Sequence, residues 1–314
     1  MSRPFDSEAG SKPDSSADSA AGSKPGPRGL ETFALGPFTL DGFSLGGVET
    51  VVRIPELRLA FDVGRGPAML IKCDHLALTH THMDHVGGLP YLLALRQLYR
   101  IPAPTIYVPA QMAEALTAML SSWEKVQRYP LLGPVVAVEP GMRLPLGPSV
   151  FLEPFRTYHP VPSNGYLVVH EKKKLKAEHI GRAGPELAAL KRAGETIEEV
   201  VREDVFAVSG DTLVEVVDKQ PHILDVDTLM LECTFLDGKK SLSDARAGGH
   251  IHLDELMERA HLFRNRRLVL SHTSQLHRPD EVAGLLAPLA AKVTCEVWAF
   301  PTEPGQAVTR VMPG

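Results

Sequence analysis

The sequence predicts an α/β fold in which β-sheets are covered by helices. Strand-like segments bunch between residues 33 and 61, and strand-like and helix-like segments then alternate toward the C-terminus. Gly and Pro residues punctuate these segments, as turns between strands require. Residues 1–30 contain mostly Ser, Ala, Gly, Pro and Asp, which bury too little apolar surface to offset the entropy of ordering. We therefore expect a disordered tail over residues 1–30 and one domain over residues 31–314.

Each element follows from its local pattern. Four leucines, at positions 89, 92, 93 and 98, lie on one face of a predicted helix, and Pro109 stands near the start of the next. The predicted strands are Phe33–Leu35, Phe38–Leu40, Val51–Ile54, Leu57–Phe61, His75–Leu78, Val150–Tyr158, Tyr166–Val169, Val205–Ser209, Thr228–Glu232, Arg267–Ser271 and Val293–Phe300. The predicted helices are Leu89–Arg100, Ala110–Trp123, Pro185–Arg192, Leu253–Phe263 and one that begins at Pro279.

Composition and charge exclude several classes of protein. The chain has 314 residues, of which 44% are hydrophobic and 23% charged, as in an ordinary globular protein. Its three cysteines are widely spaced and odd in number, which argues against a disulfide framework and favours a reducing compartment such as the cytoplasm. We find no apolar run of membrane-spanning length and no apolar signal core at the N-terminus. The net charge of −5 gives no general attraction to nucleic acid, so a nucleic-acid substrate requires a local patch.

The segment Thr79–His85, which reads THTHMDH, places three histidines and one aspartate directly after a strand-like run. Imidazole and carboxylate groups are the usual ligands of zinc and its first-row neighbours. Asp84 and His85 are adjacent, so they leave the chain in different directions. The simplest inference is that His80, His82, Asp84 and His85 serve two metal ions held side by side.

Four further metal-type side chains follow apolar, strand-like runs: Asp62, His159, Asp211 and His272. Strand ends are rigid platforms on which loops display functional groups. Alone, a strand-end Asp indicates a turn, and a strand-end His indicates a solvated loop. Beside the THTHMDH segment, four such positions together predict one shared metal centre.

The ordered spacing of these residues resembles the five motifs of the metallo-β-lactamase superfamily. The resemblance implies a four-layer αββα sandwich, in which two mixed β-sheets are flanked by helices and the metals lie at one edge of the sheets. The implied ligands are His80, His82 and His159 for one zinc ion, and Asp84, His85 and His272 for the other. The resemblance also implies that Asp211 bridges the two ions and that Asp62 orients the histidine loop.

Further segments are similar to those of the ribonuclease Z group of this superfamily. Residues 162–166 read PSNGY, residues 209–212 read SGDT and residues 232–235 read ECTF, where that group has P-S-x-G-Y, S-G-D-T and E-x-T-F. His250 stands where the group carries an additional catalytic histidine in H-S-T, but this chain reads HIH over residues 250–252. The arm that grips tRNA in that group is incomplete here. Lys172–Lys176 occupies its place, either as a phosphate contact or as a solvated hairpin.

The resemblance implies a dinuclear zinc phosphodiesterase, with manganese or iron as alternatives at His/Asp sites. Two ions roughly 3.5–4 Å apart supply a bound hydroxide that attacks the phosphodiester, and they stabilise the leaving oxygen. Asp84 is expected to ligate one ion, orient the nucleophile and accept its proton. His250 is the candidate proton donor to the leaving group, with Glu232 holding its ring and raising its pKa.

Five of these residues keep a second interpretation. Asp84 is also a candidate N-cap for the helix that follows it, and His250 is also a candidate loop histidine. Ser163 and Thr212 either contact substrate oxygens or satisfy backbone groups. His252 either replaces the threonine of H-S-T or faces solvent.

Three functions are compatible with the sequence. The first is a phosphodiesterase of the ribonuclease Z type, acting on 3′ trailers of tRNA precursors or on smaller phosphodiesters such as cyclic nucleotides. The second is a hydrolase of the same fold that cleaves an acyl bond, such as a thioester or lactone, and needs little from His250. The third is a metal-stabilised binding protein, against which the intact ligand set argues. We expect a cytoplasmic homodimer with a phosphodiester substrate and no membrane partner.

Overall fold

The computed structural model describes residues 33–314, and the tail predicted for residues 1–30 lies outside them. The strands in this range are β1 (Phe33–Leu35), β2 (Phe38–Gly46), β3 (Glu49–Ile54), β4 (Leu59–Phe61), β5 (His75–Ala77), β6 (Thr105–Pro109), β7 (Val135–Val138), β8 (Leu144–Pro145), β9 (Val150–Arg156), β10 (Asn164–Leu175), β11 (Glu198–Val208), β12 (Thr228–Glu232), β13 (Arg267–Ser271), β14 (Thr273–Ser274), β15 (Glu296–Ala299) and β16 (Thr309–Arg310). The α-helices are α1 (Met83–Val86), α2 (Leu89–Leu98), α3 (Ala113–Gln127), α4 (Gly184–Arg192), α5 (Glu215–Lys219), α6 (Leu242–Ala247), α7 (Leu253–Glu258) and α8 (Pro279–Ala290).

The strands form two sheets of eight strands each. The first sheet has the order β1-β2-β3-β4-β5-β6-β7, with β14 paired to β2, and the second has the order β16-β15-β13-β12-β11-β10-β9-β8. Strands β4 to β7 run parallel to one another, and so do β11, β12, β13 and β15. Parallel strands bring their carboxyl ends to one edge of a sheet, where functional loops gather.

Alternation along the strands divides the apolar core into three layers. In β12, Leu229 and Leu231 join the cluster that includes residues of α5, α7 and α8, whereas Met230 joins the cluster shared by the two sheets. A third cluster joins the first sheet to α2 and α3 through residues such as Leu92 and Leu120. Successive strand residues point to opposite faces, so each sheet buries one face against its partner and one against helices. This arrangement confirms the predicted αββα sandwich.

Several predicted elements differ in extent from those observed. Strands β6, β7, β8, β14 and β16 were not predicted. Strands β6 and β8 end in a proline, β7 lies between turns that contain prolines, and β14 and β16 have only two residues each. Strands β10 and β11 extend as a hairpin through the lysine-rich segment, which lacks the apolar alternation of a buried strand. Helix α7 ends at Glu258, where a 3₁₀ turn follows, and not at Phe263.

A membrane span is not found among the helices of residues 33–314, since none is both long and apolar enough.

Candidate metal centre

The candidate ligands lie where the chain leaves neighbouring strands. Asp62 directly follows β4, and the THTHMDH segment follows β5 and continues into the short helix α1. Asp211 follows β11 and His272 directly follows β13, both in the second sheet. His159 lies in the connection between β9 and β10. The carboxyl ends of both sheets therefore converge on a single cluster.

The ligand-type atoms of this cluster fall into two main groups. His80, His82, His159 and Asp211 each place one such atom within 4.8 Å of the others, and Asp84, His85 and His272 form a second group by the same measure. A third combination contains Asp211, His250 and His272. The first two groups match the division of residues that the resemblance implies.

Asp211 lies between the two groups. Its Oδ2 atom is 3.6 Å from Nε2 of His80 and 3.4 Å from Nε2 of His85, and its Oδ1 atom is 3.3 Å from Nε2 of His272. The carboxylate therefore faces ligand candidates on both sides, as a bridging ligand must.

The donor set fits metal ions. Three buried imidazole nitrogens, Nε2 of His80, His85 and His272, have no hydrogen-bond partner among residues 33–314. A buried polar atom without a partner is costly, so such atoms call for a ligand. Neutral imidazole nitrogens and carboxylates are the donors that zinc and its neighbours accept, and the three atoms face a shared carboxylate.

In His80, His272 and His159, the Nδ1 atom of the imidazole ring is held by another group of the protein. Nδ1 of His80 and Nδ1 of His272 each contact a threonine hydroxyl, at 3.0 Å from Thr79 Oγ1 and 2.9 Å from Thr234 Oγ1. Nδ1 of His159 donates to the carbonyl oxygen of Gly249 at 3.0 Å. Hydrogen bonds of this kind fix the tautomer and the ring orientation of a metal-binding histidine.

Asp62 holds the loop that carries His80, His82 and His85 through three hydrogen bonds. The carboxylate is buried and accepts from the backbone N–H of Thr79, from Thr79 Oγ1 and from Nδ1 of His85, at 2.8, 2.8 and 2.7 Å. These three bonds tie the end of β4 to the loop after β5. The geometry agrees with the orienting role expected for Asp62.

Asp84 does not cap a helix. Helix α1 begins at Met83, one residue before Asp84, and its N-cap residue is His82. The Oδ2 atom of Asp84 instead accepts the backbone N–H of Gly47 at 2.9 Å and lies 3.5 Å from Nε2 of both His85 and His272. The N-cap interpretation of Asp84 is therefore wrong, and its carboxylate faces the cluster.

The buried Glu232 and the partly buried His250 form a pair beside the candidate ligands. Nδ1 of His250 lies 3.0 Å from Oε1 of Glu232, which is the last residue of β12. Glu232 also accepts from the backbone N–H of Thr212 at 2.8 Å and from Thr234 Oγ1 at 2.7 Å. The His250 ring is 19% exposed, against 4% for His272 and 0% for His85, so it lies nearer the opening of the cluster.

Burial and mutual charge set the ionisation of the cluster. Burial, reinforced by His85, lowers the pKa of His80 well below its ordinary value, so the imidazole stays in the neutral form that binds metals. Burial alone would raise the pKa of Asp211, but His272 and His85 hold it well below its ordinary range. Burial alone would lower the pKa of His250, whereas Glu232 and Asp211 raise it to about 9.

Two backbone features bring the ligands close together. Asp62 and His272 adopt positive φ angles of 57° and 60°, a left-handed conformation that is uncommon for residues other than glycine. Gly249 has φ +79°, and a Cβ atom there would lie 2.2 Å from Pro160 Cδ and 2.8 Å from His159 Nδ1. Strained conformations cost free energy and concentrate at functional sites.

The structure decides between several earlier alternatives. Thr212 is fully buried, and its hydroxyl accepts from the backbone N–H of Tyr158, so it satisfies the backbone and does not face a substrate. Ser163 accepts from Thr157 Oγ1 at 2.7 Å. His252 is buried and caps α7, with Nδ1 accepting from the Asp254 N–H, so the solvent-facing interpretation is wrong. Replacement of the threonine of H-S-T by His252 stays a prediction.

The lysine-rich segment lies on the long β10–β11 hairpin. Lys172 and Lys174 both pair with Glu203 on the opposite strand. Helix α4 near the tip has no residue buried by other described parts of the chain. The solvated-hairpin interpretation therefore describes the conformation of this segment.

Sequence reasoning assigned no role to Thr79, Thr234, Gly47 or Gly249. Thr79 directly precedes His80, and Thr234 lies in the ECTF segment, so a hydroxyl beside a ligand or an acidic residue was the available signal. Gly47 and Gly249 act through backbone atoms, which carry no side-chain signal.

Comparisons with known proteins agree with this geometry. A model of the family described as "Beta-lactamase superfamily domain" matches residues 54–273. The chain is 37% identical to tRNase Z TRZ1 of Arabidopsis thaliana over 265 residues, which cover 84% of this chain and 95% of that protein. It is 32% identical to the chloroplastic tRNase Z TRZ2 of the same plant over 270 residues, covering 85% and 75%.

A solved structure shares the fold at lower identity. The metallo-β-lactamase fold protein YhfI from Bacillus subtilis aligns with a TM-score of 0.56 and 17% identity, covering 83% of this chain and 94% of that one. This likeness concerns the arrangement of the two sheets and their helices.

Proposed function

The chain belongs to the β-lactamase superfamily and, within it, to the ribonuclease Z family, and on this premise we propose that it is an endoribonuclease that removes 3′ trailers from tRNA precursors. Membership of this family makes the protein a metal-dependent hydrolase. The proposed cofactor is a pair of zinc ions, for which manganese or iron can substitute at a His/Asp site. The proposed tRNA substrate comes from the relatives, both of which are named tRNase Z.

The proposed metal ligands divide as the geometry groups them. His80, His82 and His159 would hold one ion, Asp84, His85 and His272 would hold the other, and Asp211 would be shared between them. Such a pair would supply an activated water at neutral pH and would stabilise negative charge on a phosphate. Asp62 holds the loop that carries three of these ligands.

Residues of the chain perform the remaining steps. Asp84, whose Oδ2 faces the cluster between His85 and His272, orients the attacking water and accepts its proton. His250 donates a proton to the departing 3′ oxygen of the tRNA, and Glu232 orients its ring at 3.0 Å. The thiolate that a thioester releases departs without such a donor, so the His250–Glu232 pair is the observation that favours a phosphodiester substrate over a thioester.

A cleavage assay tests the proposal. Zinc-loaded protein is incubated with a precursor tRNA that carries a 3′ trailer and, separately, with a chromogenic phosphodiester. Asp84→Ala is the inactive variant, and Asp225→Ala, which removes an exposed partner of Arg264, is the surface control. We expect cleavage next to the discriminator base by the wild-type and D225A proteins and none by D84A.

The other outcomes favour other substrates. Turnover of the small diester alone would replace tRNA by a smaller phosphodiester, such as a cyclic nucleotide. Cleavage of neither by protein with two bound metals would favour the acyl-hydrolase alternative.

We also propose that the protein is a homodimer through an apolar face on α2 and α3. Both helices pack on the same face of the first sheet, and exposed apolar or aromatic side chains lie on them or just after their C-terminal ends: Leu98, Tyr99, Trp123, Val126 and Tyr129. Leu98 and Val126 are 75% and 72% exposed to solvent in the described part of the chain. Apolar patches of this kind mark interaction surfaces.

The cytoplasmic location stays a prediction from cysteine usage.

A further inference from the structure

Two threonine hydroxyls join metal-facing histidines to buried carboxylates. Thr79 Oγ1 donates to Asp62 at 2.8 Å and lies 3.0 Å from Nδ1 of His80. Thr234 Oγ1 donates to Glu232 at 2.7 Å and lies 2.9 Å from Nδ1 of His272. The same three-member arrangement therefore occurs on each side of the cluster.

Proton counting fixes the direction of each contact. A hydroxyl has one proton and two acceptor lone pairs. Because Thr234 Oγ1 donates its one proton to Oε2 of Glu232, it can only accept from His272, which must carry its proton on Nδ1. The lone pair of His272 is then on Nε2, the buried atom that has no hydrogen-bond partner in residues 33–314.

Each carboxylate also holds a second histidine directly. Asp62 accepts from Nδ1 of His85 at 2.7 Å, and Oε1 of Glu232 lies 3.0 Å from Nδ1 of His250. Glu232 therefore connects a candidate metal ligand, through Thr234, with the candidate proton donor. Asp62, by contrast, connects two candidate metal ligands.

The backbone holds the Thr234 hydroxyl in place. The carbonyl oxygen of Thr234 accepts from the N–H of Ser274 at 2.9 Å, which fixes it to the segment after His272. The next residue, Phe235, accepts from the N–H of Leu253 at 2.8 Å. Thr234 is buried, so the hydroxyl has few other orientations available.

We propose that Thr234 is a positioning residue whose hydroxyl, held by Glu232, fixes the tautomer of His272 and directs its Nε2 atom at a bound metal. The inference rests on the proposed function, because it takes the His/Asp cluster to be a metal centre. It assigns a role in metal binding to Thr234, which is not itself one of the proposed metal ligands.

The test measures metal affinity and uses no substrate. Zn²⁺ is titrated into Thr234→Val and Thr234→Ser in competition with a chromogenic chelator. T234V keeps the shape of the side chain but removes the hydroxyl, and T234S keeps the hydroxyl. Loss of a partner that orients a metal ligand typically costs about 10–100-fold in affinity. We expect this loss for one ion in T234V and near wild-type affinity in T234S.

Thr228 provides a matched control. It is the buried first residue of β12, whereas Thr234 lies just beyond the last one. Its Oγ1 donates to Asp227 at 2.9 Å, so T228V removes a comparable hydrogen bond at the opposite end of this strand from the metal centre. We expect T228V to bind metal like the wild-type protein. Thermal unfolding of the metal-free proteins verifies that each variant is folded.

Two results would overturn the inference: wild-type affinity in T234V, or an equal loss in T234S, which would assign the effect to packing. Wild-type protein that binds Zn²⁺ but leaves precursor tRNA intact would overturn the proposed function and leave the role of Thr234 standing.

Discussion

Replacing His250 by alanine should lower the rate of cleavage, and the loss should be larger for substrates whose leaving oxygen is more basic. The ring lies 3.0 Å from Glu232 and is partly exposed at the opening of the cluster, as a donor to a substrate oxygen requires. General acid catalysis contributes about 10²–10⁴-fold to rate. At about 1.36 kcal/mol per tenfold, this is about 2.7–5.4 kcal/mol of barrier. The 3′ oxygen of a ribose is a poor leaving group, so H250A should lose this factor on precursor tRNA.

The assay compares two substrates under single-turnover conditions. A bis(p-nitrophenyl) phosphate releases a stable phenolate without a proton, so H250A should slow its hydrolysis by less than about tenfold. His261→Ala, which removes an exposed histidine just beyond α7, serves as the control and should leave both rates unchanged.

Two results would refute this reasoning. His250 also belongs to a possible metal-binding combination with Asp211 and His272. Equal losses on both substrates, accompanied by lower zinc content, would make His250 a metal ligand instead of a proton donor. Unchanged cleavage of tRNA would remove it from the mechanism altogether.

Three further variants test other parts of the structure. Gly249→Ala should lower stability by about 1–3 kcal/mol, because the new Cβ meets Pro160 and the residue needs a positive φ; Gly238→Ala, which meets no described atom within 4 Å, should be neutral in thermal unfolding. His252→Ala should cost about 1 kcal/mol in chemical denaturation through loss of the α7 cap, while cleavage rates at moderate temperature stay near wild type. Val126→Asp should shift the protein from dimer to monomer in sedimentation equilibrium, and an unchanged dimer mass would exclude the α2–α3 face.

The ligand cluster is largely predictable from the sequence, because its residue types are rare in combination and each stands at the end of an apolar run. Asp62, Asp211 and His272 are identified by strand ends that the structure also contains. The hydrogen bonds through which Thr79 and Thr234 join a carboxylate to a histidine were not predictable. A threonine beside an acidic residue has many uses, and only the folded geometry brings Thr234 to His272, which lies 38 residues away in the chain.

The fold was predictable where an apolar run marks a buried strand and not where tertiary contacts replace that signal. The bounds of β12 and β13 match their predictions, since both strands are buried on two faces. The outer part of β10 carries lysines that pair with β11, so its strand conformation comes from cross-strand bonds and not from apolar alternation. The capping role of His252 was not predicted, because a histidine cap has no distinctive sequence pattern.

The crossing from β13 to β14 limits how this chain can change over evolutionary time. Strand β13 ends at Ser271 in the second sheet, and β14 begins at Thr273, where it pairs with β2 of the first sheet. A single residue, His272, therefore spans the two sheets, and an insertion there would both displace the ligand and unpair β14. The tip of the β10–β11 hairpin has no such restriction. New material is therefore expected to accumulate at that tip among descendants of this protein, while the number of residues between β13 and β14 stays at one.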